Sequence, residues 1–134
     1  MDIHNETFGG EYPFKPNYLE VNGLRLHYVD EKPPGRPNAE PIVMLHGNPT
    51  WSFLYRKFIP PLVGAGYRAI APDNLGYGRS DTPMDRSLYS LENRIKVFSD
   101  MMDVFHLHDI TLVMQDWGGP IGLGYAVENP DRIK

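Results

Sequence analysis

No cysteine occurs anywhere in the 134 residues. Disulfides, thiolate nucleophiles and cysteine-held metals are therefore excluded. The sequence also lacks a continuous apolar run of the ~18 residues that a membrane-spanning helix needs. Its first ten residues, MDIHNETFGG, are polar and hold no apolar signal core. Nothing repeats at a solenoid period. Basic charge is sparse: 13 Lys and Arg stand against 17 Asp and Glu, giving a net charge of −4 and a pI near 5.7. Without a basic footprint, neither nucleic acid nor an anionic membrane is an expected partner. The missing cysteine and leader fit the cytoplasm, and no metal or cofactor is expected. Hydrophobic residues make up 41% and charged residues 22%, which suits one soluble domain with a single core.

What the sequence does have is punctuation: 13 Gly and 13 Pro, clustered between periodic segments. Such clusters mark loops that join short regular elements. Tyr18 to Val21 and Leu24 to Asp30 read as strands. Asn22-Gly23 between them predicts a type I′ hairpin turn. Leu24, Leu26 and Tyr28 alternate with Arg25, His27 and Val29, so one buried face is expected. Residues 31–40 form a polar, Pro-rich surface loop inside the domain.

Pro41 to Leu45 is a short apolar run, as in a buried parallel strand. Trp51 to Ile59 suggests a short helix that Pro60-Pro61 should end or kink. Tyr67 to Ala71 is the next strand, followed by a Gly-, Asp- and Pro-rich loop from Pro72 to Arg86. Ser90 to Leu107 has the strongest helical pattern. Ser90 suits the N-cap, Glu92 suits the first turn, and Leu91, Ile95, Phe98, Met102 and Phe105 form one stripe. Thr111 to Gln115 reads as another buried strand, Asp116 to Gly119 as a tight turn, and Pro120 to Asn129 as a helix.

A hairpin followed by alternating strands and helices predicts an α/β fold, with a mostly parallel sheet flanked by helices. In such sheets ligands bind at the carboxyl ends of the strands. That rule selects the loop after Leu45 and the turn after Gln115. Met114-Gln115-Asp116-Trp117-Gly118-Gly119 has the layout of a nucleophile elbow: a strand, a sharp turn holding one reactive side chain, then a helix. Asp at the tip excludes serine-type acyl transfer. A carboxylate there attacks an electrophilic carbon and forms an ester. The bland alternative is that Asp116 simply caps the following helix.

Three motifs, HGNPTW at 46–51, APDNLGYGRSD at 71–81 and QDWGGPIGL at 115–123, occur in one order and register. Together they resemble the N-terminal half of a haloalkane dehalogenase, from about Tyr12 to the end. The resemblance implies the α/β-hydrolase fold. It implies that Asp116 displaces halide from carbon. It further implies that the Asn48 side-chain amide and the Trp117 indole receive the halide, and that the backbone N–H groups of Asn48 and Trp117 form the oxyanion hole. A small halogenated aliphatic compound is then the substrate and a halide ion the product. The Asn48-Pro49 bond is a candidate for cis. His46 is expected to be structural, Trp51 to be packing, and Asp73, Arg79 and Asp81 to organise their loop. Gly76-Tyr77-Gly78 lacks the third glycine and the following helix of a dinucleotide fingerprint.

An ester on Asp116 is released only when a base activates water. In the resembling family that base is a histidine near the C-terminus, oriented by an acid further along the chain, and a helical cap encloses the substrate. Here His106 and His108 precede a strand of ~16 Å and belong at its far end, while His27 sits in the hairpin and His4 in the tail. Residues 1–134 are thus expected to be the N-terminal portion of one α/β-hydrolase core domain, truncated before the cap and the C-terminal strands. Its expected partner is the remainder of the fold or a complementary chain, because the strand ending at Gln115 would otherwise leave an open edge. Two other readings stay open. An epoxide hydrolase shares the Asp nucleophile but usually carries a bulky apolar residue where Asn48 stands. A non-catalytic fragment or interaction module would keep the motifs without turnover.

Overall fold

The computed structural model describes residues 2–134. Strand β1 (Asn17–Val21) turns into β2 (Leu24–Glu31). Asn22 and Gly23 both take positive φ, +50° and +79°, as the type I′ turn requires. Strand β3 (Pro41–Leu45), helix α1 (Ile59–Gly64), β4 (Arg68–Pro72), α2 (Leu91–Phe105), β5 (Thr111–Met114) and α3 (Gly118–Glu128) follow.

The five strands form one sheet in the order β1-β2-β4-β3-β5. The part built by strand–helix alternation is parallel: β4 pairs with β3, and β3 with β5. The hairpin joins β4 antiparallel, so the whole sheet is mixed. Alternate residues of each strand feed two apolar layers. Val43, Leu45, Ile70 and Leu26 pack with Phe98, Met101 and Met102 of α2 and with Ile121 and Tyr125 of α3. Ile42, Met44, Ala69, Ala71 and Val29 pack with Tyr12, Tyr55 and Ile59 on the opposite face.

Four local expectations change. Both faces of β2 are covered, since His27 and Val29 are as inaccessible as Leu26. The N-terminal arm and the residues around Tyr55 close the face that the hairpin pattern alone leaves open. Pro60 and Pro61 do not end a helix; they lie in the first turn of α1. Their missing N–H groups cost nothing there, because first-turn N–H groups have no intrahelical partner. The chain before them forms only a short 3-10 turn, Ser52–Tyr55.

The buried side of α2 is centred on Val97, Phe98, Met101 and Met102, and Leu91 stays 38% exposed. Ser90 caps that helix as expected, its hydroxyl accepting from the Asn93 N–H at 3.1 Å. Finally, β5 is half-exposed and not buried, with Val113 at 40%. It is the last strand of the sheet, and among the described residues its outer side meets a single parallel bridge between Ile110 and Ile133.

Candidate active site

The site is created by strand order. Strands β3 and β5 run side by side with Leu45 opposite Met114, so their C-terminal loops leave the sheet together. Three hydrogen bonds then join the loops. The Gln115 N–H donates to the Leu45 carbonyl (3.1 Å), the Gly47 N–H to the Gln115 side-chain Oε1 (3.0 Å), and the Asn48 N–H to Asp116 Oδ2 (2.9 Å).

Packing here leaves no room for side chains. A Cβ on Gly47 would overlap the Asp116 Cβ and stand 2.7 Å from the Gln115 carbonyl oxygen. A Cβ on Gly118 would run into the Leu45 carbonyl oxygen, with the His46 carbonyl oxygen 2.9 Å away. Glycine at both positions lets the two loops touch through their backbones.

Asp116 occupies the tip of the turn with φ +53°, a left-handed conformation that is uncommon for any residue but glycine. It does not cap α3: the cap position is Trp117, which makes no side-chain capping bond. The plain N-cap reading is therefore set aside. The Asn48 N–H, then the Trp117 N–H, hold the Asp116 carboxyl below its ordinary value of 3.8, against a small opposing effect of burial. One oxygen, Oδ2, is engaged with Asn48. The group lies at the surface, and it is ionised at neutral pH.

Trp117 is 47% exposed, too open for a core packing residue, and it directly follows Asp116. Asn48 is exposed and is joined to Pro49 by a cis peptide bond. Its side-chain Oδ1 accepts from the Tyr77 hydroxyl at 2.7 Å. Tyr77 is reached by no motif of the sequence, since Gly76-Tyr77-Gly78 matches no complete dinucleotide fingerprint. The usable signal was two glycines bracketing one aromatic in a loop at the carboxyl end of a strand.

The five histidines occupy other positions. His46 is buried, with Nδ1 donating to the Gly47 carbonyl and Nε2 accepting from the Asn74 N–H, both at 2.8 Å. Burial pushes its pKa below the ordinary 6.5, so it is a neutral structural bracket with neither nitrogen free. His27 pairs with Asp73 at 2.8 Å inside the protein, and His4 meets the Tyr18 hydroxyl at 2.6 Å. His106 and His108 line a depression with Glu40, Pro41 and Arg68, where β3 and β4 begin, so they lie at the end of the sheet away from Asp116.

The loop after β4 is organised as the sequence suggests. Asp73 accepts from His27 Nδ1, the Ser52 N–H (2.7 Å) and the Arg79 N–H (2.9 Å). Arg79, 2% exposed, donates to the Ile3 and Glu6 carbonyls at 2.6 Å each and clasps the N-terminal arm. The Asp81 carboxylate accepts from the Arg25 N–H at 2.8 Å. Trp51 stacks on Phe53 and meets Phe8 and Tyr12, so it is packing.

A strand-turn-helix elbow on a sheet of this topology, with an acid at its tip, defines a hydrolase architecture. A profile of the family described as alpha/beta hydrolase fold matches residues 40–134, and the chain belongs to that family. Within it, the chain is 47% identical over 128 residues to a haloalkane dehalogenase of Psychrobacter cryohalolentis, covering 92% of this chain and 41% of that protein. It is 45% identical over 124 residues to a cis-3-alkyl-4-alkyloxetan-2-one decarboxylase of Shewanella oneidensis, covering 91% of this chain and 37% of that protein.

Among solved structures, it resembles a haloalkane dehalogenase from Paraglaciecola agarilytica with a TM-score of 0.86 and 41% identity, over 92% of this chain and 42% of that one. An epoxide hydrolase mutant from Vigna radiata aligns with a TM-score of 0.80 and 30% identity, over 90% and 36% of the two chains. The chain thus spans about two fifths of the length of these relatives. No helix among the described residues is long and apolar enough to cross a membrane.

Proposed function

We propose that residues 1–134 are the N-terminal portion of an α/β-hydrolase core domain and carry the nucleophile and halide-receiving half of a haloalkane dehalogenase site. The observation that supports this most is the bond from the Asn48 N–H to Asp116 Oδ2 (2.9 Å) at the tip of the elbow. With Oδ2 engaged, Oδ1 is the oxygen free to attack. Its electron pair forms the new C–O bond while the carbon–halogen pair departs with the halide. The Asn48 amide and the Trp117 indole N–H receive that charge where it develops, a task worth ~3 kcal/mol per donor in sites of this kind. Oδ2 becomes the carbonyl oxygen of the ester. It already faces the Asn48 N–H, which with the Trp117 N–H serves as the oxyanion hole when water adds.

Hydrolysis of the ester needs a base. With His46 saturated and the other four histidines engaged or at the far end, the base comes from outside the described residues, on the remainder of the fold or a complementary chain. A small halogenated aliphatic substrate follows from the haloalkane dehalogenases to which the chain is similar. The epoxide hydrolase reading is weaker on two counts: lower identity, and a polar donor at Asn48. The cytoplasm remains the proposed location, on the absence of cysteine.

Incubation of the chain with excess 1-bromobutane, followed by intact mass spectrometry and peptide mapping, tests the reading. One butyl group on Asp116 that persists is expected, with bromide released in equal amount. The rate should stay level from neutral pH down towards 4 and fall only below the ordinary carboxyl value of 3.8, because Asp116 is held lower. Modification elsewhere, or an adduct with an epoxide and none with the bromoalkane, would remove the proposal. Oxetanone turnover by the whole protein, without bromide release, would favour the decarboxylase relative.

A further inference from the structure

We propose that Tyr77 is a positioning residue that fixes which end of the Asn48 carboxamide faces the space beside Asp116. This rests on the reading of Asn48 as the halide donor. A carboxamide has two ends of nearly equal shape but opposite polarity. Only the NH2 end can receive an anion, and Oδ1 in the same place would repel it. Something must therefore choose the orientation. In this protein the Tyr77 hydroxyl donates to Asn48 Oδ1 at 2.7 Å, which turns the NH2 end away from the phenol.

The phenol is itself held. The Tyr77 N–H donates to the Asn74 carbonyl at 3.0 Å, and Gly76 and Gly78 on either side take φ +89° and +54°. The imidazole of His46 meets the ring at 72° with centroids 5.4 Å apart. The Arg94 guanidinium lies 5.7 Å from the ring centroid and is tied to the Tyr89 and Leu75 carbonyls at 3.1 and 3.3 Å. These contacts use the ring and not the hydroxyl. The hydroxyl's partner is Asn48, whose backbone N–H is at the same time committed to Asp116. Asn48 is thus fixed from both sides, its main chain by the nucleophile and its side chain by Tyr77.

Tyr77→Phe keeps every ring contact and removes only the donor. The test is a bromide titration of the 15N-labelled chain, followed by NMR of the Asn48 side-chain amide and the two indole N–H signals. Urea unfolding checks that the variant is folded. In the unsubstituted chain, bromide should shift the Asn48 amide and the Trp117 indole together. In Tyr77→Phe the Asn48 amide signals should move before any bromide is added, and bromide should bind about three- to ten-fold more weakly, the loss of one neutral hydrogen bond. Asn48→Ala should weaken binding further, and adding Tyr77→Phe to it should change nothing more. Amide signals unmoved by Tyr77→Phe would overturn the inference whatever bromide does, as would unchanged bromide affinity with shifted signals. If the unsubstituted chain gives no response to bromide, the halide reading of Asn48 fails and takes the inference with it. The amide shift in Tyr77→Phe still separates that result from a missing Tyr77 bond.

Discussion

Two adjacent glycines should respond in opposite directions to the same substitution. Gly118 and Gly119 both lie in the first turn of α3. A methyl at Gly119 meets nothing within 4 Å, whereas one at Gly118 overlaps the Leu45 carbonyl oxygen and sits 2.9 Å from the Leu45 carbonyl carbon. The obstacle at Gly118 is the backbone of the interior strand β3, which cannot rotate away as a side chain would. Gly118→Ala therefore requires α3 to move off the sheet. Forced overpacking costs ~1–3 kcal/mol and outweighs the gain of ~0.5–1 kcal/mol from replacing a helical glycine by alanine. Gly119→Ala collects only that gain.

With a urea slope of ~1.5–2 kcal/mol/M, a net loss of ~1 kcal/mol lowers the unfolding midpoint by ~0.5–0.7 M, and Gly119→Ala raises it by ~0.3–0.7 M. Circular dichroism through a urea series reads both numbers, and the slope must stay constant for the comparison to hold. Alkylation of Asp116 should slow in Gly118→Ala, because the same shift carries Asp116 away from the Asn48 N–H. A Gly118→Ala protein as stable as the parent would refute the close-approach argument. Equal destabilisation by Gly119→Ala would refute it too.

Two further outcomes follow from the buried polar loop. Asp73→Asn should cost ~3–5 kcal/mol, because His27, Ser52 and Arg79 lose a buried anionic acceptor; an unchanged urea midpoint would contradict it. Burial opposes charge on Asp73, yet the bond and charge of His27 and the N–H donors hold its pKa below 3.8. Its contribution is therefore complete above 3.8 and is lost as pH falls through the lowered value, so an acid titration of stability should be flatter in Asp73→Asn. Arg79→Ala should cost ~2–4 kcal/mol through two charge-assisted bonds. It should also free the arm, read as faster proteolysis between Ile3 and Glu6; unaltered cleavage would show that other contacts hold the arm.

Some of this protein was written in its sequence because the physics involved is local. Asn22-Gly23 specifies its own turn, Ser90 caps its own helix, and Pro41 to Leu45 is apolar throughout because helices cover both faces of that strand. The elbow at Asp116 and the HGNPTW loop were legible for the same reason, each being a continuous motif. Misreadings came where neighbours distant in sequence decide the outcome. The alternation along β2 gives no sign that the N-terminal arm and the residues around Tyr55 cover its second face. Pro60-Pro61 is a stop signal or a start signal depending on where the helix chooses to begin. The apolar content of the strand at Thr111 reads as burial, but its place at the end of the sheet leaves it half-exposed.

The sequence alone determined that an aspartate stands at a strand-to-helix turn, and that a histidine-glycine-asparagine loop follows an earlier strand. Only the tertiary structure decided that they belong to one site. It placed β3 beside β5, so that Asn48 and Asp116 meet across 68 residues of chain. It also brought Tyr77 to Asn48 and buried His27 against Asp73. The reason is that strand order in a sheet is set by which apolar faces pack together across the whole domain, and no local window of residues contains that information.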